Sequence, residues 1–142
     1  MAWQDWEDEK TAAIWNEALE ALIRVCEEFA VSQRPEADIQ VSARHWDAPD
    51  VVLEWVSRDL HRNLQLLIDG REWPLQVCLS GAVWNDPEGD PNQREFRPID
   101  LGRIPFTGAG KARAECWDSI AQAFQSVDTL QLHMTAFGKA GD

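Results

Sequence analysis

Residues 51–84 read VVLEWVSRDLHRNLQLLIDGREWPLQVCLSGAVW, and the reading of this stretch decides the fold. It holds three apolar runs, Val51–Ser57, Asn63–Ile68 and Leu75–Trp84, the first two separated by Asp59-Leu60-His61-Arg62. The second gap begins with Asp69-Gly70, a strong hairpin signal between apolar runs because both residues accept the left-handed backbone of a tight turn. Parallel neighbours need a crossover of about a dozen residues or more, and these gaps are too short for one. The strands are therefore expected to pair antiparallel.

Upstream, from Asp38, Ile39, Val41 and Ala43 alternate with Gln40, Ser42 and Arg44, the period of a half-buried strand, and Asp47-Ala48-Pro49-Asp50 has the composition of a turn. Further upstream the period is 3.6. Trp15, Leu19, Leu22, Cys26 and Phe29 recur at helical spacing, thickened by Ala18 and Val25, and predict one long helix from about Glu7 to Ala30. Asp5 or Asp8 can cap its start, and Ser32-Gln33-Arg34-Pro35 ends it because proline cannot continue a helix. Downstream, Asn85 to Gln93 is a turn-rich loop, and a fifth strand is expected over Glu95–Leu101, where Pro98 argues for a sheet edge. A second helix follows over about Lys111–Val127, with Trp117, Ile120, Phe124 and Val127 as its apolar stripe, and then a last strand over Leu130–Phe137. The expected fold is α+β: one globular domain over residues 1–142, with an antiparallel sheet of about five strands, an N-terminal helix, a second helix and a C-terminal strand, the helices mainly on one face.

The chain has 142 residues, of which 44% are hydrophobic and 27% charged, a balance suited to a packed core. Eight Trp with no Tyr is its compositional oddity. No stretch approaches the roughly 20 apolar residues that cross a bilayer, and residues 1–9 are acidic where a secretory leader would be basic, so a cytoplasmic protein away from membranes is expected. Three cysteines, Cys26, Cys78 and Cys116, fit neither a disulfide framework nor a zinc ligand set and read as reduced thiols. The net charge is −12, and residues 1–36 alone carry −6 of it. Phosphate binding rests on clustered Lys and Arg, and here neither is clustered, so nucleic acid is not expected as a direct ligand.

The motifs that carry chemistry fail in detail. Thr107-Gly108-Ala109-Gly110-Lys111 resembles a phosphate loop, but Pro105 stands where the first glycine is needed and Ala112 where Ser or Thr is needed. Asp86, Glu88, Asp90 and Asn92 alternate as calcium ligands do, but a loop starting at Asp86 has Pro91 in place of the central glycine and Arg97 in place of the final glutamate. His45, His61 and His133 have no partner at metal-ligand spacing. Leu79-Ser80-Gly81 lacks the second glycine of a nucleophile elbow, and Cys116 falls inside the second predicted helix. No catalytic residue, metal site or cofactor is assigned, and an enzyme is not the favoured reading.

Two surfaces remain. Glu17, Glu20, Arg24, Glu27 and Glu28 share a face of the first helix; Arg24 lies four residues from Glu20 and from Glu28, yet four carboxylates to one cation leave the face negative. On the sheet, Val51, Leu53 and Trp55 point one way while Val52 and Val56 point the other, and Leu67, Cys78 and Trp84 extend that second surface. A non-catalytic acidic interaction module of adaptor, inhibitor, immunity or chaperone type follows. Glu17, Glu20, Glu27, Glu28, Val52, Val56 and Leu67 are its candidate partner-binding residues, and the partner is another protein with a basic surface or a second copy of the chain. The alternative is a small-molecule-binding or hydrolytic domain whose pocket lies between sheet and helices, lined by Trp with His45 or His133.

Overall fold

A computed structural model describes residues 9–45, 49–69, 75–85 and 95–132. Helix α1 runs over Glu9–Ser32, and its apolar stripe, Trp15, Ala18, Leu19, Leu22, Val25, Cys26 and Phe29, is buried. Its last turn closes through the Ser32 hydroxyl, which donates to the Phe29 carbonyl at 2.6 Å, and through Gln33 and Arg34 amides bonded back to Ala30 and Val31. Pro35 then bars continuation.

Five strands follow: β1 (Gln40–His45), β2 (Pro49–Ser57), β3 (Leu60–Asp69), β4 (Leu75–Trp84) and β5 (Phe96–Phe106). They form one sheet in the order β1-β2-β3-β4-β5, each antiparallel to the next. A short 3-10 turn, Ala109–Lys111, leads into α2 (Ala112–Asp128). Both helices cover the inner face, on which Val51, Leu53, Trp55, Leu64, Leu66, Ile68, Val77 and Leu79 are buried. The two helices and the sheet meet at Phe29, whose ring packs edge-on to Trp117 at 5.5 Å and to Phe124 at 5.4 Å, while Phe124 lies 4.6 Å from Trp55. The fold is thus α+β with an antiparallel sheet, as the strand spacing required. Among the described residues no helix is long and apolar enough to cross a membrane.

Four details differ from the reading of the sequence. Of the expected turn Asp47-Ala48-Pro49-Asp50, Pro49 and Asp50 already belong to β2, paired with His45 and Arg44. The β2–β3 hairpin turns on Arg58 and Asp59 alone, both with positive φ (55° and 65°), so Ser57 pairs with Leu60, and His61 and Arg62 belong to a strand rather than a loop. Strand β5 continues past Leu101 to Phe106, because a bulge opposite Leu79 and Ser80, with Gly102 at φ 92°, resets the register and turns Ile104 and Phe106 inward. Residues 130–132 are not a strand, although Leu132 is buried; the rest of the expected C-terminal strand lies outside the described residues. Pro98 does sit on β5, an edge strand of the sheet formed by the described residues.

Candidate functional site

The site is built on the outer face of the sheet, away from the helices. At one end the register places Val56, His61, Trp84 and Phe96 directly opposite one another across β2, β3, β4 and β5. Cross-strand neighbours on one face stand about 4.5–5.5 Å apart, so these side chains form a continuous row. The His61 ring stacks on Trp84 with centroids 5.6 Å apart and planes 12° from parallel, and Trp84 meets Phe96 at 6.2 Å. Val56 and Phe96, the two ends of the row, are each 61% exposed, and His61 and Trp84 between them are half-buried.

One step along the sheet, Gln40 of β1 pairs with Glu54 of β2. Together with Asp38, Trp55, Val56, His61, Arg62 and Trp84 they line a groove of about 320 Å³. Asp38 accepts a hydrogen bond from the Gln40 side-chain amide at 3.2 Å. Neither Asp38 nor Glu54 has a salt-bridge partner among the described residues.

The other end of the outer face is internally satisfied. Asp50, nearly inaccessible, receives Arg44 through Nη2 at 2.7 Å and Nε at 3.2 Å, and Gln65 through its side-chain amide. This bidentate bonding to Asp50 holds the Arg44 guanidinium above its ordinary pKa. The Ser80 hydroxyl donates to Gln65 at 3.3 Å, and Asp69 lies 3.9 Å from Arg103.

On the inner side, below the row, Arg62 is buried and donates to the carbonyls of Ser57, Val127 and Leu130. Asp128 accepts from the Trp55 indole at 3.0 Å and from Arg58. These bonds fasten the end of α2 to the β2–β3 hairpin. At the other end of α2, the glycine-containing turn is occupied by the chain's own anion: the Glu115 carboxylate takes the Thr107 amide at 3.0 Å and the Thr107 hydroxyl at 2.7 Å. Burial, reinforced by their mutual proximity, pushes the Cys26 thiol well above its ordinary value, and burial raises Cys116 to about 11. Both thiols are therefore neutral near pH 7 and unsuited to nucleophilic attack.

The residues singled out from sequence divide. Glu17, Glu20, Glu27 and Glu28 are exposed on α1, as the helical period required, but Glu28 is bonded at 2.9 Å to Arg113 of α2. Val56 joins the aromatic row, whereas Val52 is buried and Leu67 half-buried on the same face. His45 is in β1, and His133 and the acidic positions Asp86, Glu88, Asp90 and Asn92 lie outside the described residues. Among the described residues no three of His, Cys, Asp and Glu gather as metal ligands would. The groove between α1 and the sheet, about 190 Å³, is lined by Ile14, Glu17, Ala18, Leu75, Phe106 and their neighbours, with no Trp or His among the described residues. His61, Phe96, Glu54 and Asp38 were not singled out. Placing the turn at Asp59–Arg62 hid His61, and Phe96 would have emerged only from its pairing with Trp84. Compared with protein-family models, with curated proteins and with solved structures, the chain matches none of them.

Proposed function

We propose that the chain is a non-catalytic, acidic interaction module that docks another protein on the outer face of its sheet. The observation that carries this reading is the row Val56, His61, Trp84 and Phe96, exposed at its two ends and half-buried at His61 and Trp84, on a face that neither helix covers. Sheet faces left open to water are ordinarily polar, and contiguous apolar exposure marks interaction sites. The net charge of −12 and the exposed carboxylates of α1 favour a basic protein surface over nucleic acid. Three cysteines with no disulfide between them suit the reducing cytoplasm. Adaptors, inhibitors, immunity factors and dedicated chaperones all fit this description.

Affinity purification from native cells tests it. A stoichiometric protein is expected to remain bound to the wild type and to be lost from Phe96→Glu, with the melting curve of the variant unchanged. Retention of a small ligand and no protein, or equal retention by Phe96→Glu, overturns the reading.

A further inference from the structure

We infer that the groove beside the row takes an arginine side chain from a basic segment of the partner. This inference rests on the interaction reading above and adds the chemistry of recognition. The outer face carries carboxylates in two states. Asp50 and Asp69 have Arg44 and Arg103, whereas Asp38 and Glu54, which line the groove, have no ion pair among the described residues. Arg44 is within electrostatic reach of Glu54, but its guanidinium is engaged by Asp50. The arginine in the groove's own lining, Arg62, is buried and bonded to the main-chain carbonyls of Ser57, Val127 and Leu130, so it pairs with neither carboxylate.

Aromatic side chains line the same groove. His61 and Trp84 present stacked rings to the groove, and a cation over an aromatic ring gains from the quadrupole of that ring. The described residues hold such a combination internally: Arg113 lies over Trp117 at 4.0 Å while bonding to Glu28 at 2.9 Å. The groove offers the same elements, an indole and a carboxylate, while the arginine in its own lining, Arg62, is bonded to main-chain carbonyls instead. Arginine suits it better than lysine because a planar guanidinium can stack and bond in a fork at once. A volume of about 320 Å³ is at the small end of the roughly 300–1,000 Å³ of ligand sites, a scale suited to one side chain.

The test follows the Trp84 indole N–H by NMR during titration with ten-residue peptides of one sequence carrying three Arg, three Lys or three Gln. The Arg peptide is expected to shift Trp84 and its neighbours and to bind at least about threefold more tightly than the Lys peptide. The Gln peptide is expected to leave Trp84 unmoved. Glu54→Lys should weaken the Arg peptide about tenfold or more, and Glu17→Lys, on α1, by no more than about twofold. Equal shifts from Arg and Gln peptides, or equal losses from Glu54→Lys and Glu17→Lys, overturn the inference. If a native protein partner binds through Phe96 while no Arg peptide reaches Trp84, the arginine assignment falls and the interaction reading stands. If the Arg peptide fills the groove but affinity purification yields no protein partner, the assignment stands and the interaction reading falls.

Discussion

The guanidinium of Arg62, a β3 residue only 1% exposed, donates to the main-chain carbonyl of Val127 in the last turn of α2. The last turn of α2 has no basic residue of its own, and its final carbonyls have no intrahelical donors. Arg62 supplies the cation across the fold, reaching Leu130 as well at 2.9 Å. A positive charge at a helix C-terminus is favourable by itself, and charge-assisted bonds in a dry site are stronger than neutral ones. Burial lowers the pKa of this arginine while the nearby Asp128 carboxylate opposes that shift.

Arg62→Met should therefore cost about 2–4 kcal/mol, since it removes three charge-assisted bonds to main-chain carbonyls and one of the two cations beside Asp128. Arg62→Lys should recover only part of that, because an ammonium cannot span Ser57, Val127 and Leu130 in one plane. Urea unfolding of both variants measures this. A loss under about 0.5 kcal/mol in Arg62→Met would show that the bonds hold nothing together.

Gly81 tests how closely α2 sits on the sheet. A Cβ there would lie 2.5 Å from Val127 Cγ2 and 2.9 Å from the Asn63 carbonyl, so Gly81→Ala should destabilise by about 1–3 kcal/mol through overpacking. Val127→Ala removes the nearer clash, and the double variant should lose less than the sum of the two single losses. At Gly102, with φ 92° and open space around it, alanine should cost about 1 kcal/mol from backbone strain alone, with no coupling to position 127.

Asp128 sets part of the acid limit of stability. Burial pushes its carboxyl up, but bonds from the Trp55 indole and Ser57 and the charges of Arg58 and Arg62 outweigh that and hold it below the ordinary value. A carboxyl with a depressed folded pKa contributes stability that is present above its unfolded value, about 3.9, and disappears as pH falls through the folded one. Asp128→Asn should thus be less stable than wild type at pH 6, and the gap should close as the pH is lowered below about 4. Parallel stability curves down to pH 2 would contradict this.

The three thiols should separate by burial. Cys26 and Cys116 are inaccessible with raised pKa values, whereas Cys78 is only half-buried on the outer face. A disulfide reagent at pH 8 should label one thiol per chain quickly in the folded protein and three in denaturant, and Cys78→Ser should remove the fast reaction.

Charge steering is testable on α1 once the partner is in hand. Glu17→Lys with Glu20→Lys should slow association about tenfold at low salt and change stability by under about 1 kcal/mol, since exposed charges act mainly on encounter rates. Glu28 is a poorer choice, because reversing it also breaks the bond to Arg113. Near 1 M salt, where the Debye length is roughly 3 Å, the difference should vanish.

Helix α1, the antiparallel pairing and the edge position of β5 were legible in the chain because each rests on a local pattern: a 3.6-residue stripe from Trp15 to Phe29, strand gaps too short for crossovers, and Pro98. Which outer-face side chains meet was not legible. Sheet register has a period of two, so the placement of one turn decides which face every following residue takes. The β2–β3 turn uses two positive-φ residues without glycine, and composition alone pointed past it, to Asp59–Arg62. With the turn at Arg58 and Asp59, His61 stands over Trp84 and Arg62 enters the core beneath α2. Those contacts join residues 23 and 65 positions apart, a separation over which no periodicity in the chain carries information and only packing of the whole sheet against α2 selects the partner.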